Sequence, residues 1–227
     1  MKTILPLILV SSLNFLFPSF ACALPENFVY LKDIDPTIIQ EIKYATSNNF
    51  VGRPIKGYER SDCILTKPTA LALKKIQAEL KARSLGLKVY DCYRPESAVK
   101  DFITWSADGN DQKTKSLFYP RINKKDFFKL GYVAAKSSHS RGSTVDLTLV
   151  RYQSGHVYEL DMGTSFDFMD KLSHPTNHDM RREVLQNRLL LRKLMLSVKF
   201  KPLETEWWHF TLNHEPFQKE YFNFVVK

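Results

Sequence analysis

The chain has 227 residues, enough for one sizeable domain and too few for two comfortable ones. With 44% hydrophobic, 13% aromatic and 25% charged residues, and only 8 Gly and 11 Pro, it can bury a core and has no disordered or collagen-like bias. Its net charge of +9 comes from scattered residues such as Lys43, Arg53, Lys56, Lys88 and Arg151. No basic helix with interleaved aromatics emerges, so nucleic acid is not an expected partner and the charge suits an anionic cell envelope.

Residues 1–23 read as a secretory signal. Lys2 supplies a positive charge, Ile4 to Phe20 is almost entirely apolar or small, and Ala21-Cys22-Ala23 offers the small residues of a cleavage site. The run is short for a bilayer span and is interrupted by Asn14 and Pro18. Cleavage after Ala23 leaves a domain of residues 24–227, exported across the inner membrane to the periplasm and not inserted in the bilayer. An uncleaved anchor and a lipoprotein acylated at Cys22 are the alternatives.

In the mature chain an extended lead-in is expected at 27–31, a helix near 36–42 and a polar loop at 46–52. Thr66-Lys67-Pro68 reads as a helix start, with Leu73, Ile76 and Leu80 on one apolar face of a helix over 68–84. The stretch 87–91 then reads as a strand running back. A helix of this length advances about 27 Å, and the returning strand recovers most of it, so Cys63 and Cys92 end on the same side. Both would lie in an oxidising compartment, and a Cys63–Cys92 disulfide is expected over two free thiols. A helix follows over 95–107, then a charged, loop-rich segment over 107–129 expected to lie on the surface. A strand at 144–149, a long helix at 183–196 and an aromatic strand at 207–212 complete the chain. Helices and short strands without a βαβα rhythm point to an α+β single domain, its helices packed around a central, mainly antiparallel sheet.

Two segments carry chemistry. In the first, His139 lies seven residues ahead of Asp146, with Gly142 between them to permit a tight turn. Asp146 sits between Val145 and Leu147, where a carboxylate needs a partner, and His with Asp suits zinc. In the second, His209 is flanked by Trp207, Trp208 and Phe210, with Glu206 three residues earlier. In a regular strand Glu206 and His209 would face opposite ways, so the reading requires an irregular backbone there. His139, Asp146 and His209 then leave a fourth zinc position for water, with Glu206 as general base. Arg94, at the end of a strand and fixed by Pro95, is the candidate for stabilising an oxyanion. His156, His174, His178 and His214 receive no metal role.

Together these residues resemble one family. SSHSRGSTVDLTL, EWWHF and DCYRP look like the zinc D-alanyl-D-alanine dipeptidases of the VanX type, which belong to a larger group that includes D,D-carboxypeptidases and the Hedgehog signalling domain. The similarity extends through Tyr44-Ala45-Thr46, Gly131-Tyr132-Val133, the stretch 162–170 and Tyr221 to Phe224, covering nearly all of the mature chain. It implies the same metal set with one Zn2+ per chain, Glu206 as base and Arg94 on the transition state. It adds Asp167 and Tyr44 as holders of the substrate ammonium, and Ser137 and Tyr132 as lining. The small D,D-dipeptide is the implied substrate. Two departures stand out: relatives that confer glycopeptide resistance work in the cytoplasm, and they tend to carry a small residue where Cys92 stands. Both favour wall turnover or D-alanine recovery over resistance. The rival readings are a D,D- or L,D-carboxypeptidase acting on peptidoglycan fragments, and a non-catalytic zinc-containing binding domain, which would need neither Glu206 nor Arg94.

Overall fold

The computed structural model describes residues 24–227, so the signal reading of residues 1–23 lies outside the described residues. Among the described residues no helix is long and apolar enough to cross a membrane. The elements in chain order are β1 (Phe28–Tyr30), α1 (Leu31–Ile34), β2 (Ile39–Gln40), β3 (Ile64–Thr66), α2 (Lys67–Lys81), β4 (Leu85–Asp91) and α3 (Glu96–Ala107). There follow α4 (Lys115–Phe118), α5 (Phe127–Leu130), β5 (Thr144–Gln153), β6 (His156–Glu159), α6 (Arg182–Ser197), β7 (Phe200–Leu203) and β8 (Glu206–Leu212).

A six-stranded sheet in the order β2-β4-β5-β8-β7, with β6 on the far half of β5, forms the centre. Only the short β2–β4 pair is parallel. This is the expected α+β single domain with a mainly antiparallel sheet. Val145, Leu147 and Leu149 are buried on one face of β5, and Asp146 and Thr148 on the other, so the sheet is covered on both sides. The apolar stripe of α2 is legible in the burial of Leu73, Ile76 and Leu80. From the same helix Gln77 ties α2 to the sheet, its Oε1 accepting the Leu87 N–H at 2.8 Å.

One expectation fails. Residues 36–42 do not form a helix: Ile39–Gln40 instead pairs with Lys88–Val89. The β-branched run Ile38-Ile39 favours extended backbone, and the Asp35 side chain accepts from Thr37 N at 3.0 Å and Thr37 Oγ1 at 2.6 Å, a turn that competes with helix. The segment 107–129 is loop-rich and mostly exposed, as expected, but aromatics pin it to the core. Tyr119 and Phe127 are completely buried, packing with Trp105 at ring-centroid distances of 5.7 and 5.9 Å. Its lysines mask an aromatic spacing that anchors it to α3.

Cys63 and Cys92 are bonded, with Cα atoms 5.4 Å apart and a separation of 29 positions in sequence. The bridge joins the start of β3 to the residue after β4. Just beyond it, Tyr93 stacks on Phe224 of the C-terminal tail at 4.0 Å. The tail's Phe217, Phe222 and Phe224 also surround Phe28. Replacing both cysteines by serine is expected to cost about 3–4 kcal/mol on the chain-entropy account, lowering Tm by roughly 10 °C. Thermal melts of the variant and of reduced wild type check this; unchanged Tm in both would show that the tail alone holds the segment.

Candidate active site

The site forms where three strands meet in register. Asp91 on β4 pairs with Asp146 on β5, and Asp146 pairs with His209 on β8, so three polar side chains form a row across one face of the sheet. The β4–β5 ladder slips between Val89 and Asp91. Without this bulge Tyr90 would stand opposite Asp146; the extra residue brings Asp91 there instead.

His139 enters from above, on a 3-10 turn over Ser138–Arg141. The Ser137 side chain caps the turn by accepting the His139 N–H at 3.3 Å. Gly142 closes it at φ +78°, where a Cβ would strike the Phe28 ring, so only glycine fits.

β8 shows the irregularity its sequence required. Glu206 pairs with Leu203 and Phe210 with Pro202, so one step on β7 spans four residues on β8. Residues 207–209 therefore leave the regular ladder, and Glu206 Oε2 comes within 3.5 Å of His209 Nδ1.

Three donor atoms converge. His139 Nε2 lies 3.3 Å from Asp146 Oδ2 and 3.3 Å from His209 Nδ1, and His209 Nδ1 lies 3.1 Å from Asp146 Oδ1. A tetrahedron with metal–ligand bonds of about 2.0–2.1 Å has edges of about 3.3 Å. The two histidine nitrogens stand at such an edge, each faces a different Asp146 oxygen at a comparable distance, and one ligand atom from each residue lies within 4.8 Å of the others. Protonation agrees. The Cys92 carbonyl accepts from His139 Nδ1 at 2.7 Å, which leaves Nε2 without a proton. His209 turns Nε2 toward Ser138 Oγ at 3.4 Å and Nδ1 toward the Asp146 carboxylate. Asp146 Oδ1 is buried and accepts no hydrogen bond, an orphan that a cation would satisfy. Burial alone would raise the Asp146 carboxyl, but the flanking histidines hold it well below the usual carboxylate range. Among the described residues, His139, Asp146 and His209 are the group so arranged, and the other histidines are not part of it.

The remaining residues line a cavity of about 280 Å³ above these atoms. Arg94 projects into it from the end of β4, its guanidinium 4.9 Å from the Tyr44 ring centroid and 5.2 Å from that of Phe102. Across the cavity Asp167, at φ +60° and nearly buried, accepts from Tyr44 Oη at 2.9 and 3.2 Å. Burial and the charge of Asp146 push the Asp167 carboxyl well above its ordinary value. Burial also raises the Glu206 carboxyl, against the pull of His209. Tyr132 and Ser137 complete the wall, with the Tyr132 hydroxyl pushed up to about 12 by burial and by nearby Asp170 and Glu206. A separate cavity of about 600 Å³, behind the loop 162–166, touches none of these residues.

All nine site residues read from the sequence thus meet in one place. The sequence reading missed Asp91, Tyr58, Ser138 and the Cys92 carbonyl. For Asp91 the signal existed: it is a carboxylate ending an apolar strand, the same feature that singled out Asp146.

Residues 25–227 match the peptidase M15 family described as D-ala-D-ala dipeptidase. A D-alanyl-D-alanine dipeptidase of Enterococcus faecalis is 44% identical over 200 residues, covering 88% of this chain and 98% of that protein. One of Streptomyces coelicolor is 39% identical over 200 residues, with the same coverage, and one of Escherichia coli is 34% identical over 186 residues, 82% of this chain and 84% of that protein. By this match along its whole described length, the chain belongs to the peptidase M15 family.

Proposed function

We propose that this chain is a zinc-dependent dipeptidase that hydrolyses D-Ala-D-Ala to two D-alanines. The observation that carries the reading is the convergence of His139 Nε2 and His209 Nδ1, 3.3 Å apart, on the Asp146 carboxylate, whose Oδ2 and Oδ1 lie 3.3 and 3.1 Å from them respectively, in a chain similar to D-alanyl-D-alanine dipeptidases along most of its length. These three residues would hold one Zn2+ per chain. Zinc with three protein ligands lowers the pKa of a water to about 7 and polarises a carbonyl.

The chain's own groups divide the rest of the work. Glu206, beside His209, takes the proton from the attacking water and returns it to the leaving nitrogen. Burial, which raises its carboxyl, helps it hold the proton between the two tasks. Arg94 donates to the carbonyl oxygen as negative charge develops there, and it stays charged at any relevant pH. Asp167 and Tyr44 receive the substrate's ammonium group, whose charge compensates a carboxylate that burial otherwise disfavours. Tyr132 and Ser137 bound the space left for the dipeptide. The bonded cysteines and the apolar segment over 4–20 support action outside the cytoplasm, in the periplasm, in wall turnover or D-alanine recovery.

The test is D-alanine release from D-Ala-D-Ala and from N-acetyl-D-Ala-D-Ala by the purified protein, with and without a chelator. Expected are chelator-sensitive release, recovery on adding zinc, and at least roughly 100-fold slower cleavage of the acetylated peptide, since burying Asp167 against an uncharged amide costs several kcal/mol. Release that survives exhaustive chelation would remove the metal from the reaction. Equal cleavage of both peptides would remove the ammonium site and leave a carboxypeptidase.

A further inference from the structure

We propose that Asp91 is a positioning residue that aims the Arg94 guanidinium at the reacting carbonyl. The proposal rests on the reading of Arg94 as donor to the developing oxyanion, and it concerns a residue that touches neither substrate nor metal. Asp91 is wholly buried and does not line the cavity. Its Oδ2 accepts from Arg94 Nε at 2.9 Å and pairs with Arg94 Nη2 at 2.8 Å. Its Oδ1 accepts from Tyr58 Oη at 2.7 Å, and Tyr58 is itself buried. Tyr58 thus fixes the carboxylate, and the carboxylate fixes the guanidinium.

The grip is needed because Arg94 has another carboxylate within reach. Its Nη2 lies 3.6 Å from Asp146 Oδ2, and an arginine free to rotate would be drawn onto that metal-binding oxygen. With Nε and one side of Nη2 committed to Asp91, the guanidinium plane is set. The rings of Tyr44 and Phe102 hold the plane from beside it. Asp91 also lies 3.5 Å from His139 Nδ1, but that proton goes to the Cys92 carbonyl at 2.7 Å, so the main partner of Asp91 is Arg94. The β4 bulge is the backbone device behind the arrangement. A regular ladder would set Tyr90 opposite Asp146 and leave Arg94 without its anchor.

The experiment is a double-mutant cycle in the zinc-loaded protein with D-Ala-D-Ala as substrate, comparing Asp91→Asn, Arg94→Ala and the double variant. Zinc content and Tm are measured alongside. Asp91→Asn is expected to lower kcat by about 100-fold, as for loss of one oriented donor, with KM within about threefold. In the Arg94→Ala background the same change is expected to add almost nothing, because a residue acting through Arg94 has nothing left to orient. Tyr58→Phe, which keeps the charge of Asp91 and removes one hydrogen bond, is expected to lower kcat by roughly fivefold, again only when Arg94 is present. This variant carries the test if Asp91→Asn fails to fold. Losses that multiply in the double variants, or an unchanged kcat in both Asp91→Asn and Tyr58→Phe, overturn the proposal. Wild-type turnover by Arg94→Ala would instead overturn the oxyanion role of Arg94 itself, and this proposal with it.

Discussion

Replacing Glu206 by glutamine is expected to lower kcat for D-Ala-D-Ala by about 10,000-fold, the upper range for losing a general base that also serves as acid. Zinc content should remain at one ion per chain. The two halves of this result follow from where the carboxylate sits. Glu206 Oε2 is 3.5 Å from His209 Nδ1, beside the donor atoms and outside the set of three. Glutamine keeps the shape and the β8 pairing but cannot carry a proton from water to the leaving amine. Asp167 and Tyr44, the groups proposed to hold the substrate ammonium, lie elsewhere in the cavity, so KM should move little. Metal analysis with steady-state kinetics checks both halves. Retention of more than about a tenth of the wild-type kcat would exclude Glu206 as the base.

Replacing His209 by alanine is expected to abolish both metal binding and turnover. Two donors on Asp146 and His139 cannot supply three sides of a tetrahedral site. The fall in zinc affinity should therefore exceed the roughly 10- to 100-fold that removing an outer hydrogen-bond partner costs a metal site. Loss of the imidazole also leaves Asp146, already without a hydrogen bond at Oδ1, short of its neighbour at 3.1 Å. Competition with a fluorescent zinc chelator measures the affinity. A His209→Ala protein that holds zinc as tightly as wild type would show that the ligand set is drawn from other residues. The contrast with Glu206→Gln is the useful part, since two side chains three residues apart should separate chemistry from metal retention.

The elements that could be read from the sequence were those with a single strong signal. The helix α2 announces itself by Pro68 in its first turn and by an apolar stripe, and the alternation around Asp146 marks β5. His139, Asp146 and His209 were legible because isolated carboxylates and histidines among apolar neighbours require partners, whereas Tyr44, Tyr132, Ser137 and Asp167 carry no such local signal and came only from the family resemblance. Other parts depended on tertiary context. Residues 36–42 carry isoleucines compatible with either helix or strand, and the waiting edge of β4 decided for strand. The segment 107–129 looked solvated because its lysines outnumber its aromatics, yet Tyr119 and Phe127 are core. The short strands β3, β6 and β7 have three or four residues each, too few to establish a period. Asp91 showed the signal of a carboxylate ending a strand, but its place opposite Asp146 depends on a one-residue slip that no side chain in β4 advertises.

The row of Asp91, Asp146 and His209 across adjacent strands has a kinetic consequence. These residues are separated by more than fifty positions in sequence at each step, so none of the pairings is local, and closing such large loops precedes any reward from the site. Of the donors only His139 and Asp146, seven positions apart, are near in sequence, and His209 joins them only through the β5–β8 pairing. A nascent or partly folded chain therefore has little hold on zinc, and tight binding arrives with the completed sheet. Metal uptake, followed in time, would act as a clock for the last strand to dock.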